Sequence, residues 1–193
     1  MISAIILAAG LSKRMGQPKM VLPWGEATVV ENVIVTFMKA GVEDILVVTG
    51  GAQDHVEALL DRHPVRKVRN EDYASGEMLS SLQCGLSTIP DRAQAVLIGL
   101  GDQPQVQEGT IRLICNAYQT DNSLLIVPSF RMKRGHPWLV ARSLWQTILD
   151  LRPPETLRDF LNAHATQIQY VNVDTSTILA DLDTPEDYQN SRP

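Results

Sequence analysis

Four short runs of aliphatic and β-branched residues, at 2–7, 45–49, 95–99 and 124–128, carry apolar side chains without alternation. A strand with one wet face alternates apolar and polar residues, so a strand apolar on both faces needs cover on both sides of its sheet. The intervening segments supply that cover. Val29, Val30, Val33, Ile34, Phe37 and Met38 recur at helical spacing, and Gly41 is placed to end that helix. Residues 53–62, 78–87 and 110–118 read as further amphipathic helices. Strand alternating with helix implies βαβ units and a mostly parallel sheet. Beyond residue 130 the pattern loosens. Residues 130–137 read as an exposed basic loop or hairpin, Pro153-Pro154 precedes a helix near 156–164, and 168–173 suits a late strand. Within 193 residues there is no repeat or linker that divides the chain, so one domain spanning 1–193 is expected.

In open α/β sheets ligands bind beyond the carboxyl ends of the strands, so the segments just after these runs are the places to look for chemistry. After the first come Ala8, Ala9, Gly10, Leu11 and Ser12, small residues that let backbone groups approach a ligand, then Lys13, Arg14 and Lys19. These cations suit phosphate, although neither the P-loop spacing nor the dinucleotide fingerprint is present. After the third run come Gly101, Asp102, Gln103 and Pro104. Asp102 reads either as an oxygen ligand for a hard cation such as Mg²⁺ or as a turn or helix cap. Near the C-terminus, Thr184, Pro185, Glu186 and Asp187 form a helix start, which leaves Asp181 and Asp183 unexplained. Either one is a candidate partner for Asp102 in a metal site. Arg134, Gly135, His136 and Pro137, beside Arg131 and Lys133, offer a turn or a receiver for an anionic acceptor. Asn70, Gly76, Ser80 and Ser81 suit contacts to a base edge or helix capping.

The formal net charge of −5 argues against a general nucleic-acid binder, which presents a basic face. No apolar run approaches the roughly 18 residues of a membrane span, and no charged region precedes the N-terminal apolar stretch. Cys84 and Cys115 lack a CxxC arrangement and are expected as buried thiols. A cytoplasmic protein is expected.

Leu7-Ala8-Ala9-Gly10-Leu11-Ser12-Lys13-Arg14-Met15-Gly16 with Lys19, Gly101-Asp102-Gln103-Pro104, Arg134-Gly135-His136-Pro137 and Asp181-Leu182-Asp183-Thr184-Pro185-Glu186-Asp187-Tyr188 together resemble the molybdenum cofactor cytidylyltransferase-like nucleotidyltransferases. The pieces come in family order and span nearly the whole chain. The resemblance implies a Rossmann-like, three-layer α/β fold, its sheet mainly parallel with a small antiparallel addition. It implies transfer of CMP from CTP to the phosphate of molybdopterin, with release of pyrophosphate, in an Mg²⁺-dependent reaction. Arg14, Lys19 and Asp102 would be catalytic, with Asp102 and Asp183 holding the metal. Leu7, Ala8, Ala9, Gly10, Ser80 and Ser81 would bind the nucleotide, and Arg134 to Pro137 the acceptor. Ala9 favours CTP, because relatives that use GTP carry glycine there. A molybdenum hydroxylase is the implied recipient, with neither nucleic acid nor membrane as partner. The alternatives are a transferase using GTP or another phosphorylated acceptor, and a non-catalytic cofactor chaperone, which has no need of Lys19, Asp102 and Asp183. The chain departs from many relatives at Arg152-Pro153-Pro154-Glu155-Thr156, where they carry a Gly-Asp-x-Gly segment.

Overall fold

The computed structural model describes residues 1–51, 53–74 and 77–193; Gly76, one of the small residues considered for the base, lies outside them. The first four runs become β1 (Ile2–Leu7), β4 (Asp44–Thr49), β6 (Ala95–Leu100) and β7 (Leu125–Phe130). A two-stranded hairpin, β2 (Pro23–Trp24) with β3 (Ala27–Thr28), precedes α1 (Val29–Lys39). Thr28 caps α1 in a capping box with Glu31, and Gly41, at φ +94°, ends it in the left-handed region that a glycine adopts without a Cβ clash. The helices α2 (Gln53–Leu60), α3 (Glu77–Leu86) and α4 (Glu108–Asp121) follow their strands as the periodicity predicts.

Among the described residues the main sheet has eight strands in the order β10-β7-β9-β6-β1-β4-β5, with β8 paired to β7. Here β5 is Arg66–Arg69, β8 Lys133–Arg134, β9 Trp138–Ala141 and β10 Ile168–Asn172. The pairs β1–β4, β1–β6, β4–β5 and β7–β10 are parallel, while β9 runs antiparallel between β6 and β7. The remaining helices are α5 (Trp145–Asp150), α6 (Leu157–Ala163) and α7 (Pro185–Ser191).

Alternate residues of each central strand enter opposite cores. Ile5, Leu7, Leu46, Val48, Val96 and Ile98 meet α3, α5 and α6 on one face. Ala4, Ile6, Ile45, Val47 and Leu97 meet α1, α2 and α4 on the other. This is the three-layer arrangement that the two-faced apolar strands require. A smaller cluster, with Met15, Leu22, Trp24, Val29, Leu182 and Tyr188, ties the loop after β1 to the C-terminal segment, and Tyr188 donates from its hydroxyl to Pro23 O at 2.6 Å. The thiols are half-buried rather than buried. Burial pushes Cys115 up to about 11, so it stays a protonated thiol at neutral pH.

Candidate active site

Leu7 pairs with Val48 of β4 and with Leu100 of β6, so the carboxyl ends of three parallel strands finish level. The loops beyond them therefore meet. Ala8 N–H donates to Val48 O, Gly51 N–H to Ala9 O and Gly101 N–H to Leu7 O, at 2.9, 3.2 and 2.9 Å. The sheet thus engages Leu7 O and the Ala8 N–H, which takes that amide out of the set expected for the nucleotide. Further on the loop folds over itself. Met15 and Gly16 N–H donate to Ser12 O, and Lys19 N–H to Ser12 Oγ. Gly10, Leu11, Ser12, Lys13, Gly16 and Gly51 line a recess of about 310 Å³ with room for phosphate groups.

Beside this loop lies the tightest charge cluster of the molecule's described part. Lys19 is only 8% exposed, and its Nζ lies 2.5 Å from Asp102 and 3.2 Å from Asp183. Arg14, on the solvent side, reaches Asp183 at 2.8 Å. Burial works against the Lys19 ammonium, but the two carboxylates outweigh it and hold its pKa above the ordinary lysine value. Asp102 is no helix cap; its carbonyl accepts from Leu182 N–H and fastens the C-terminal segment to the β6 end. Asp183 therefore joins Asp102 and Lys19, whereas Asp181 accepts from Gln103 Nε2 at 2.6 Å. Burial, then the nearby Asp102 charge, raises the Asp181 pKa. Two carboxylates already facing one cationic atom are an oxygen donor set that fits a hard divalent ion. No group of three or more metal-ligating side chains occurs among the described residues. A Mg²⁺ ion takes one or two carboxylates and completes its shell with substrate phosphates and water.

The Arg134–Pro137 stretch divides by role. Gly135 and Pro137 are buried and Arg134 is exposed. Gly135 N–H donates to Pro128 O, and His136 N–H to Ile178 O. The crossing is so close that a Cβ on Gly135 would lie 2.4 Å from Ile178 O. This glycine thus serves the joint between the basic hairpin and the segment leading to Asp181 and Asp183. Gly135→Ala is expected to cost about 1–3 kcal/mol, since backbone must move to admit the methyl; urea unfolding at neutral pH measures it.

Ser81 is buried and Ser80 partly so, and Asn70 Nδ2 donates to both hydroxyls at 3.0 and 2.9 Å. The pair is thus anchored to the end of β5. The Ala9 methyl is 5% exposed and belongs to a core. A Cβ on Gly50 would lie 2.8 Å from it and 2.7 Å from Tyr73 Cβ. It sets the spacing of the first loop against the Gly50–Tyr73 chain rather than standing as an open wall against a purine.

A groove of about 1410 Å³ opens beside the basic hairpin. Its lining includes Arg134, His136 and Trp138, along with Pro153, Pro154, Glu155 and Thr156. The segment that departs from many relatives is thus a wall of this groove. Met132, Asn162 and Tyr170 also line it, and nothing in the sequence pattern singles them out. Tyr170 reads as an ordinary strand residue until β10 is paired to β7.

A parallel sheet whose strand ends gather a small-residue loop, a buried lysine and paired carboxylates defines a nucleotide-handling α/β enzyme. Comparison with known proteins narrows the class. The MobA-like NTP transferase domain matches residues 4–168, and the chain belongs to that family of nucleotidyltransferases. It is 28% identical to the molybdenum cofactor cytidylyltransferase of Escherichia coli K12, over 97% of this chain and 93% of that one. It is 27% identical to the nicotine blue oxidoreductase of Paenarthrobacter nicotinovorans, over 96% and 93%. The crystal structure of Rv0371c from Mycobacterium tuberculosis H37Rv superposes with a TM-score of 0.86 at 28% identity, over 98% and 96% of the two chains; a second structure of that protein is a complex with manganese.

Proposed function

We propose that residues 1–193 form one nucleotidyltransferase domain that transfers CMP from CTP to the phosphate of a molybdopterin-type cofactor. An acceptor phosphate oxygen forms a bond to the α-phosphorus, the bond from that phosphorus to the β-phosphate bridge breaks, and pyrophosphate leaves. The observation that carries the reading is the convergence of Lys19, Asp102 and Asp183 beside the phosphate-sized recess. Such a reaction needs no covalent intermediate on the protein; it needs in-line placement and neutralised charge. Lys19 and Arg14 supply positive charge to the phosphates. The Ala9 N–H and the Gly10 backbone are the parts of the first loop that face the nucleotide, and Ser80 and Ser81 border the base. Mg²⁺, held by Asp102 and Asp183, would neutralise the charge that builds on the phosphate oxygens. The Lys19 ammonium, which bridges both carboxylates, would contribute positive charge beside that ion.

CTP is favoured by the resemblance at Ala9, though not by contact with its buried methyl, and by the first relative's name; the acceptor is favoured by the same name and by the groove next to Arg134. The protein acts in the cytoplasm and passes its product to a molybdenum hydroxylase, with no nucleic-acid or membrane partner. No helix among the described residues is long and apolar enough to cross a membrane. A purely redox reaction, such as the second relative's name denotes for that protein, would not need the lysine–carboxylate cluster.

The test is incubation with each nucleoside triphosphate, Mg²⁺ and molybdenum cofactor, following pyrophosphate and dinucleotide product. CTP is expected to give both. Product with GTP alone overturns the base assignment, and no product with any triphosphate overturns nucleotidyl transfer in favour of a cofactor carrier.

A further inference from the structure

The groove beside the basic hairpin gathers three cations on its walls. Several arginines of the molecule sit on carboxylates: Arg66 on Asp44 at 3.0 Å, Arg14 on Asp183 and Arg142 on Asp91 at 2.8 Å. Lys133, Arg134 and Arg158 line the groove, and among the described residues none of the three pairs with an acid. Arg134 is nevertheless held in place. Its Nε donates to Tyr170 Oη at 2.8 Å and its Nη1 to Asn162 Oδ1 at 3.2 Å, and the guanidinium lies 5.8 Å from the Tyr170 ring centroid.

Both acceptors are neutral, which decides what the arrangement is for. A carboxylate would orient the guanidinium and cancel its charge together. A phenol and an amide orient it and leave the charge whole. Two bonds fix the plane of the fork, while Nη2 and the second Nη1 hydrogen have no partner among the described residues. That remaining edge matches a phosphate, which a guanidinium takes through two parallel hydrogen bonds.

The hairpin tip adds an independent observation. Arg131 and Met132 adopt φ of +47° and +66°, a conformation that costs a residue with a Cβ about 1–2 kcal/mol. Glycine or asparagine would relieve it, yet the tip instead holds Met132, 94% exposed, at the rim of the groove. Met78, 39% exposed, lines the same groove. Thioether side chains are polarizable and adapt to the face of a flat ring.

We propose that Tyr170 and Asn162 are positioning residues that hold the Arg134 guanidinium uncompensated over the groove, so that its remaining edge takes the phosphate of a flat-ringed acceptor seated between Met78 and Met132. This deepens the transfer reading above and rests on it for the acceptor's identity.

The test compares wild type with Tyr170→Phe, Asn162→Ala and Arg134→Lys. It reads KM for molybdenum cofactor, KM for CTP and kcat, and separately the Kd for molybdenum cofactor without nucleotide, by calorimetry. Losing a charge-assisted contact is expected to raise the acceptor KM and Kd about ten-fold in each variant. KM for CTP stays within about two-fold in each variant, as does kcat in Tyr170→Phe and Asn162→Ala. Tyr170 is 43% exposed, so the phenylalanine variant tests the hydroxyl without opening a core. Acceptor KM and Kd at wild-type values in Tyr170→Phe and Asn162→Ala overturn the proposal, as does a wild type that binds no cofactor. A wild type that binds the cofactor but transfers no nucleotide overturns the transfer reading alone; ten-fold weaker binding by the variants then still supports this one.

Discussion

Asp102→Ala is expected to lower nucleotidyl transfer by about 10²–10³-fold, the loss that accompanies removal of one preorganised charged or hydrogen-bonding group from a site where charge develops. Asp102 is the carboxylate closest to Lys19, at 2.5 Å, and its side chain is 15% exposed, so solvent screens it little. Its removal takes away one of the two oxygen donors that face the cation position, and the apparent affinity for the divalent ion falls with it. The fold is expected to survive, because Lys19 keeps Asp183 at 3.2 Å and its ammonium is not left unpaired. Asp102→Asn separates charge from shape. It preserves a hydrogen-bond acceptor for Lys19 and the bulk beside it, so equal loss in both variants assigns the effect to the carboxylate charge. Turnover is measured against divalent-ion concentration, with a melting curve for each variant. Wild-type turnover in either variant would leave Asp102 as the structural partner of a buried lysine and of Leu182.

The central layer of this fold is legible because burial on two faces leaves so few choices. The strands at 2–7, 45–49 and 95–99 lie where their unbroken apolar runs put them, within a residue or two of the observed ends. β5 escapes notice because an edge strand is not bound to that pattern: Arg66, Lys67 and Arg69 keep their charged groups in water or on Asp44 and Asp61. β9 escapes for another reason. Four residues, Trp138–Ala141, fit many settings, and only pairing with both β6 and β7 makes them a central antiparallel strand.

The site divides along the same line. Lys19, Asp102 and Asp183 are recognisable because each comes after an element in a distinctive local setting, yet the local pattern alone leaves Asp181 and Asp183 level, and only the family resemblance prefers Asp183. In the structure Gln103 takes Asp181 as its partner, while Asp183 faces Lys19. Gly135 looks like part of an acceptor motif, and its reason lies far along the chain at the Ile178 carbonyl. Tyr170 and Asn162 have no motif at all. Their role comes from a contact across β8, β10 and α6, which exists only once the sheet is assembled.

His136 is expected to dominate the pH dependence of stability between about pH 4 and 6.5. Its ring stacks on Trp138 with centroids 4.4 Å apart, and its Nε2 is closed off from solvent without a partner among the described residues. Burial therefore lowers its pKa from 6.5 to about 4. The unfolded chain binds a proton at this ring below pH 6.5, and the folded protein does not until about pH 4, so stability is full above 6.5 and is lost as pH falls towards 4. At about 1.36 kcal/mol for each unit of displacement the loss amounts to roughly 3 kcal/mol. Carboxylates take over further down. Burial of Asp44 is outweighed by hydrogen bonds from Arg66 and Ser3, which keep its pKa below the usual range. Its contribution is lost only as pH falls through that lowered value. Urea unfolding of wild type and His136→Gln, repeated from about pH 7.5 to 2, separates the two regimes. The variant is expected to lose the slope between 6.5 and 4 and to keep the acid limb below it. A wild-type slope retained in His136→Gln would place the responsible proton elsewhere and return this imidazole to a neutral packing role against Trp138.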